Sequence, residues 1–202
     1  MNVSIIFITL LYACLIFSKE YVLLVSFDGF RHDYTTFVET PNFDKVEKNG
    51  VKAQSLIPIF PTLTFPNHYA IATGSYANKH KIIANNFYSK TLGKSYSMYD
   101  KESVKDSAFY GSEPIWVTCK KNNLKSASYF WVGSEARGMT PSIYKEYNSS
   151  ISFTSRIDSV IKWYSYPQDK IPDLTLLYFS EPDHSGHMFG PCLLYTSDAA
   201  DD

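Results

Sequence analysis

Three short clusters carry the side chains best suited to chemistry, and each follows an apolar stretch. Asp28-Gly29-Phe30-Arg31 comes directly after residues 21–27, Tyr-Val-Leu-Leu-Val-Ser-Phe. A carboxylate at a strand end followed by Gly is a common metal-ligand arrangement, and equally a common turn signal. Pro61-Thr62-Leu63-Thr64-Phe65-Pro66-Asn67-His68-Tyr69 places two hydroxyls just before a helix start. Free backbone N–H groups and the positive helix end suit an oxyanion or phosphate there, while simple capping by either Thr is the bland alternative. A Thr hydroxyl is a poor nucleophile without a base or a metal, and no base adjoins it in sequence, so a metal is the expected activator of Thr64. His68 falls on the helix and is expected to pack or cap. The third cluster is Ser180-Glu181-Pro182-Asp183-His184-Ser185-Gly186-His187. Asp183 and His187 stand four apart, close enough to share one ion, with His184 a rival on spacing alone. Oxygen plus nitrogen ligands favour Zn²⁺ over Mg²⁺ or Ca²⁺. Together Asp28, Thr64, Asp183 and His187 point to a metal-assisted hydrolase, although two zinc sites would need about three or four protein ligands each.

The elements that must position these clusters alternate between strand and helix. Residues 21–27 and 174–179 are continuous apolar runs, the pattern of strands buried on both faces of a parallel sheet. Residues 51–57 form a further strand candidate and 125–131 another. Thr40-Pro41 gives an N-cap with Pro at the first helical position, and Gly50 a stop. Pro66 to Gly74 reads as a short helix, and Pro114 opens another through about residue 122. Ile157, Val160, Ile161 and Tyr164 have the i, i+3, i+4, i+7 spacing of an amphipathic helix. The expected class is α/β, a mostly parallel sheet flanked by helices. In such sheets ligands bind beyond the carboxyl ends of strands, where the three clusters lie.

Composition excludes more than it assigns. Apolar residues at 45% are enough to bury a core, which argues against disorder. A formal net charge of -1 gives no reason to expect a nucleic-acid partner. Three Cys are too few for a disulfide scaffold. Residues 3–17 form an apolar run shorter than the ~20 residues of a membrane span and are followed by Ser18. The segment 1–18 is therefore expected to be a secretory signal peptide, with a buried N-terminal helix or uncleaved anchor as the alternative. Secretion would remove Cys14 and make Asn148-Ser149-Ser150 a usable glycosylation sequon at Asn148. Residues 192–202 continue no period from what precedes them and resemble translated sequencing-adapter sequence; an ordinary acidic tail is the alternative. Residues 19–191 remain between them, and the resemblance described next implies that they are the N-terminal part of a larger catalytic domain.

The clusters, taken with Thr73-Gly74, Glu113-Pro114-Ile115-Trp116-Val117-Thr118 and Phe130-Trp131, resemble the ectonucleotide pyrophosphatase/phosphodiesterase family of the alkaline phosphatase superfamily. The matching stretches run in family order from about residue 21 to Pro191. The resemblance implies an alkaline-phosphatase-like fold, present here only in part, and two Zn²⁺ in the full-length enzyme. It implies Thr64 as a zinc-coordinated nucleophile forming a phosphothreonine intermediate, and Asp28 as a ligand of the same zinc. Asp183 and His187 become ligands of the second. Asn85 falls where the family contacts a phosphate oxygen, and Phe65 and Tyr147 fall where nucleotide-hydrolysing members sandwich the base. The implied substrate is a small phosphodiester, a nucleotide first of all, met in the secreted phase or at the extracellular face of the plasma membrane. Membrane anchoring is left open.

Two departures qualify this. Leu63 stands where many nucleotide-hydrolysing members carry Lys, which removes a positive charge beside the phosphates. The family also supplies an Asp-His pair and a further His later in the chain than this sequence reaches. The 202 residues alone are therefore expected to bind zinc poorly and to hydrolyse nothing measurable. The rival readings are a choline-phosphodiester or lysophospholipid hydrolase of the same family, and a secreted, non-catalytic nucleotide-binding fragment.

Overall fold

The apolar run that opens the chain becomes strand β1 (Val22–Phe27), and Asp28 and Gly29 follow at its carboxyl end. This is a computed structural model, and it describes residues 19–191. The expected signal peptide at 1–18, the expected foreign tail at 192–202 and Cys192 lie outside those residues. After β1 come helix α1 (Pro41–Asn49), helix α2 (Thr64–Thr73), the short α3 (Ala77–His80) and a hairpin of β2 (Asn86–Ser89) and β3 (Lys94–Ser97). Helices α4 (Lys101–Lys105) and α5 (Ile115–Lys121) lead to β4 (Ser126–Tyr129) and β5 (Ile143–Lys145). Helix α6 (Phe153–Tyr164), strand β6 (Leu174–Phe179) and helix α7 (Asp183–Phe189) complete the order.

The main sheet has the order β1-β6-β4-β5, and every pairing in it is parallel. Parallel neighbours require crossovers; helices lie in the connections except between β4 and β5, which residues 130–142 join in turns, and the sheet is flanked by helices as the alternating pattern predicts. The last apolar run lies in the middle of the sheet, where all six residues of β6 are buried. Its neighbour in register departs from expectation. Strand β1 is an edge strand, with Val22 55% and Leu23 48% exposed, because only one of its sides is paired among the described residues. A second departure concerns residues 51–57, which form no strand and line a groove wall with their side chains out (Ile57 is 86% exposed). High β-propensity is not enough where no sheet edge offers hydrogen bonds.

Helix α2 begins at Thr64, two residues before the Pro that its pattern suggested, and ends at Gly74 in the left-handed region (φ 60°), a conformation Gly adopts without a Cβ penalty. Pro41 stands at the first turn of α1, as expected. Of the expected α6 stripe only Val160 is buried; Ile157 (40%) and Ile161 (59%) are exposed, and the buried face is Arg156, Val160 and Trp163, while Ser152 caps the helix by accepting from Ser155 N–H. The core joins α2 and α5 to the sheet through Tyr69, Trp116, Trp131, Ala127 and Leu176, each at most 2% exposed. Aromatic side chains fill much of it, and that is where the high aromatic share goes.

One buried carboxylate makes a testable point about this core. Glu135 is buried and accepts from Tyr147 N–H at 2.6 Å. Burial pushes its carboxyl above the usual range, outweighing Lys105 nearby. A carboxyl raised in the folded state favours folding when protonated and penalises it once ionised. Glu135→Gln keeps the accepting oxygen and removes the charge. It should therefore stabilise the protein at pH 7, with the gain shrinking as pH falls through the raised folded-state value and gone below about 4, where folded and unfolded Glu are both protonated. Thermal melts of both forms across that pH range check it.

Candidate active site

The strand ends bring two carboxylates side by side. Asp28 N–H donates to Phe179 C=O (3.0 Å), which continues the parallel ladder one residue past the strands, and Asp183 N–H donates to Asp28 C=O (2.8 Å). Gly29 makes that approach possible. It sits at φ 69°, and a Cβ there would come within 2.7 Å of Asp183 Cα, so only Gly fits. Residues 183–187 form the first turn and a half of helix α7. His187 therefore lies one turn from Asp183 on the same helix face, with Nε2 3.6 Å from Asp183 Oδ2. His184, the rival on spacing, does not line the cavity described below.

Electrostatics at this point favour a cation. Burial raises the Asp183 carboxyl above its usual range, and the neighbouring Asp28 charge raises it further, while His187 and His184 act in the opposite sense. Two carboxylates held together by backbone hydrogen bonds repel unless a positive charge stands between them. Oxygen from each Asp, nitrogen from His187 and a hydroxyl from Thr64 form a donor set that suits zinc. Among the described residues no group of three or more His, Cys, Asp or Glu that could hold a metal ion is assembled.

Thr64 opens α2, and the N-cap position belongs to Leu63, which has no side-chain acceptor. No side chain caps this helix at that position, so the Thr64 hydroxyl is not spent on capping. Of the first-turn backbone donors only Thr64 N–H is left for a ligand, since Phe65 N–H and Asn67 N–H are bonded and Pro66 has none. Two asparagines organise this turn. Asn85 Oδ1 accepts from Phe65 N–H (3.0 Å), which leaves the amide NH₂ as the end free for an anionic ligand. Asn67 fastens the preceding loop to the helix. Its Nδ2 donates to Pro61 C=O and Leu63 C=O (both 3.0 Å), and its Oδ1 accepts from Ile59 N–H (2.7 Å).

Beneath Thr64 lies a layer that sequence reading passed over. His68 is buried, with Nδ1 2.8 Å from Thr64 C=O and Nε2 2.8 Å from Ser26 Oγ. Trp131 Nε1–H donates to His68 C=O (3.0 Å). The packing role expected for His68 is thus the observed one. Tyr178 on β6 stands edge-on to His68 (5.1 Å between centroids), and its hydroxyl donates to Asp28 Oδ2 at 2.8 Å. Burial and the Asp28 charge both keep that phenol protonated, far above its usual range. The only sequence signal for Tyr178 was a phenol among the Leu and Phe of an otherwise apolar strand.

Asp28, Thr64, Asn85, Asp183 and His187 line a single cavity of about 1230 Å³, together with Asn67, His68 and the loop 51–59. Five of the seven catalytic, binding and metal residues expected from the sequence therefore meet. Phe65 and Tyr147 do not line it. Phe65 packs edge-on to Tyr96 (6.1 Å), and Tyr147 stands against Phe130 (5.2 Å) with 43% of its surface exposed. Asn148 is exposed, and its Oδ1 accepts from both Ser150 N–H and Ser150 Oγ–H in a local turn. Among the described residues no helix is long and apolar enough to cross a membrane.

Comparison with known proteins fits this geometry. A family model described as Type I phosphodiesterase / nucleotide pyrophosphatase matches residues 22–201. Venom phosphodiesterase of Naja atra is 42% identical over 179 residues, 87% of this chain and 21% of the relative. Human ectonucleotide pyrophosphatase/phosphodiesterase family member 1 is 44% identical over 179 residues, 87% of this chain and 19% of the relative. Among solved structures, murine ectonucleotide pyrophosphatase/phosphodiesterase 5 superposes with a TM-score of 0.85 at 36% identity, covering 90% of this chain and 50% of that one. An inactive threonine-to-alanine variant of the same murine protein, in complex with AMP, gives a TM-score of 0.85 at 35% identity, covering 91% of this chain and 50% of that one. The chain thus spans about a fifth of the curated relatives and half of the solved ones. The shared fold is the alkaline-phosphatase-like sheet, here in part, and the chain belongs to the Type I phosphodiesterase / nucleotide pyrophosphatase family of enzymes.

Proposed function

We propose that the full-length protein hydrolyses phosphodiester or pyrophosphate bonds of extracellular nucleotides, with Thr64 as nucleophile. The observation that carries this is the convergence of Thr64, Asn85 and the Asp28–Asp183–His187 group on one cavity. The murine relative supports it, since a threonine-to-alanine variant that binds AMP is inactive. Asp28 and Thr64 would hold one zinc ion, and Asp183 and His187 another, with the remaining ligands coming from outside these 202 residues. When bound, zinc lowers the pKa of a coordinated hydroxyl and neutralises phosphoryl charge.

The chain's own residues do the rest. The Thr64 oxygen attacks phosphorus in line with the leaving oxygen. The Oγ1–P bond forms, the P–O bond to the leaving group breaks, and the threonine proton is lost to solvent. Water then attacks the phosphothreonine diester, releases the phosphorylated product and returns Thr64 to its hydroxyl form. The NH₂ of Asn85 and the N–H of Thr64 would face the charge that grows on the non-bridging oxygens. Water-filled access is expected, since the cavity is large and open along the 51–59 loop.

A second reading, a choline-phosphodiester or lysophospholipid hydrolase, is favoured by one observation. Leu63 lies beside Thr64 on the cavity wall, 41% exposed, with Leu56, Ile57 and Ile71 around it and no Lys at that position. Rates of the full-length protein on a nitrophenyl ester of thymidine monophosphate and on a nitrophenyl choline phosphodiester separate the two. We expect the nucleotide ester to be preferred at least 10-fold, chelation to abolish turnover and zinc to restore it. A preference for the choline ester gives the second reading, and chelator-resistant turnover overturns the metal assignment. The isolated 202 residues, with two proposed protein donors per ion among the described residues, should turn over neither substrate. Asn148 is proposed as a glycosylated surface site of a secreted or cell-surface protein, following residues 1–18 as a signal peptide.

A further inference from the structure

We propose that Tyr178 is a positioning residue that fixes the Asp28 carboxylate for its metal, a role that rests on the reading of Asp28 as a ligand. The geometry comes from the sheet itself. Ser26 and Tyr178 are paired in register on the adjacent strands β1 and β6, and Asp28 follows Ser26 by two residues, so it projects from the same face. Along that face the Tyr178 hydroxyl reaches Asp28 Oδ2 (2.8 Å) and its ring meets the edge of His68 (5.1 Å). An ionised carboxylate only accepts, so the phenol donates, and one Asp28 oxygen is engaged while the other is left for a cation.

His68 holds the same layer to the nucleophile. The Thr64 carbonyl can only accept, so His68 Nδ1 carries a proton toward it, and in the neutral ring Nε2 accepts from Ser26 Oγ–H. Trp131, donating to the His68 carbonyl, closes the layer from the side of the turn after β4. Tyr178 is wedged between His68 and Asp28 and has no freedom to swing away. A donor that orients a metal-ligating carboxylate in this way typically changes metal affinity 10- to 100-fold when removed.

Tyr178→Phe in the full-length protein keeps the ring on His68 and deletes only the hydroxyl. Zinc affinity, measured by competition with a chromophoric chelator, should fall 10- to 100-fold. At saturating zinc, kcat should fall more than KM rises, because Tyr178 is not among the residues that line the cavity. A double-mutant cycle decides whether the effect passes through Asp28. In an Asp28→Asn background, Tyr178→Phe should weaken zinc no further. Unchanged zinc affinity in Tyr178→Phe overturns the proposal and leaves the family reading intact. A full additional loss in the Asp28→Asn background also overturns it, because the phenol would then act on the fold rather than on Asp28. If Asp28→Asn alone leaves zinc affinity unchanged, the ligand reading of Asp28 fails, and the proposal fails with it.

Discussion

Thr64→Ala in the full-length protein is expected to lower kcat on a nucleotide phosphodiester by about 10³-fold or more while leaving nucleotide binding within a few-fold of the parent. The substitution removes one oxygen and one methyl at the first residue of α2. Because that hydroxyl does not cap the helix, its loss should cost the fold little, and Ala is a better helix former than Thr. The surrounding donors, Asn85 NH₂ and the backbone N–H of residue 64, remain in place and continue to hold a phosphate. A large drop in kcat with an unchanged thermal midpoint therefore isolates chemistry from folding. Equal losses of binding and turnover would instead identify Thr64 as a binding contact.

Gly29→Ala should have an effect of comparable size by a different route. Gly29 combines φ 69° with backbone contact against Asp183, and a methyl there would lie 2.7 Å from Asp183 Cα and 2.8 Å from its Cβ. The positive φ alone costs about 1–2 kcal/mol for an L-residue, and backbone cannot yield as a flexible side chain would. Relief requires Asp183 to move away from Asp28, breaking the 2.8 Å bond from Asp183 N–H to Asp28 C=O. Both proposed metal sites are then pulled apart. The expected outcome is zinc affinity lowered more than 10-fold and turnover lowered more than 100-fold, together with destabilisation of about 2 kcal/mol or more. Zinc titration and thermal melts on the same preparations check this. Parental zinc binding in the variant would show that the two strand ends are not mechanically coupled.

These two effects show how much of the site could be read from the sequence and how much could not. Asp28, Asp183 and His187 follow the apolar runs of β1 and β6, and the rule that ligands bind beyond the carboxyl ends of parallel strands brings them together without any coordinate; Thr64 joins them although the strand expected before it does not form. The six-residue run of β6 and the existence of α6 were legible because each is long enough to outweigh local preference, although the buried face of α6 is Arg156, Val160 and Trp163 rather than the expected stripe. The 51–57 run was misread because its Val, Leu and Ile make it look like a strand, while only tertiary context decides whether a partner edge is present. Strand β1 was judged buried on the pattern of its side chains, but burial depends on neighbours that a single strand cannot reveal. The hairpin of β2 and β3 carries Gly93 at its turn amid polar residues, too weak an alternation to stand out. Sequence could not show that Asp183 to His187 is helical, because Gly186 and two His residues all speak for a loop. Nor could it join Ser26, His68 and Tyr178, which are separated by 42 and 110 residues and meet only through strand register.

The zinc reading draws on the family and on the donor set, whereas the covalent role of Thr64 can be observed directly. The full-length protein, mixed with a nucleotide phosphodiester and quenched with acid during steady turnover, should carry a nucleotidyl group on the peptide that contains Thr64. Mass spectrometry of the digest locates it, and Thr64→Ala should carry none. Steady turnover of the parent with no adduct on that peptide, or turnover by Thr64→Ala at the parental rate, would contradict the account.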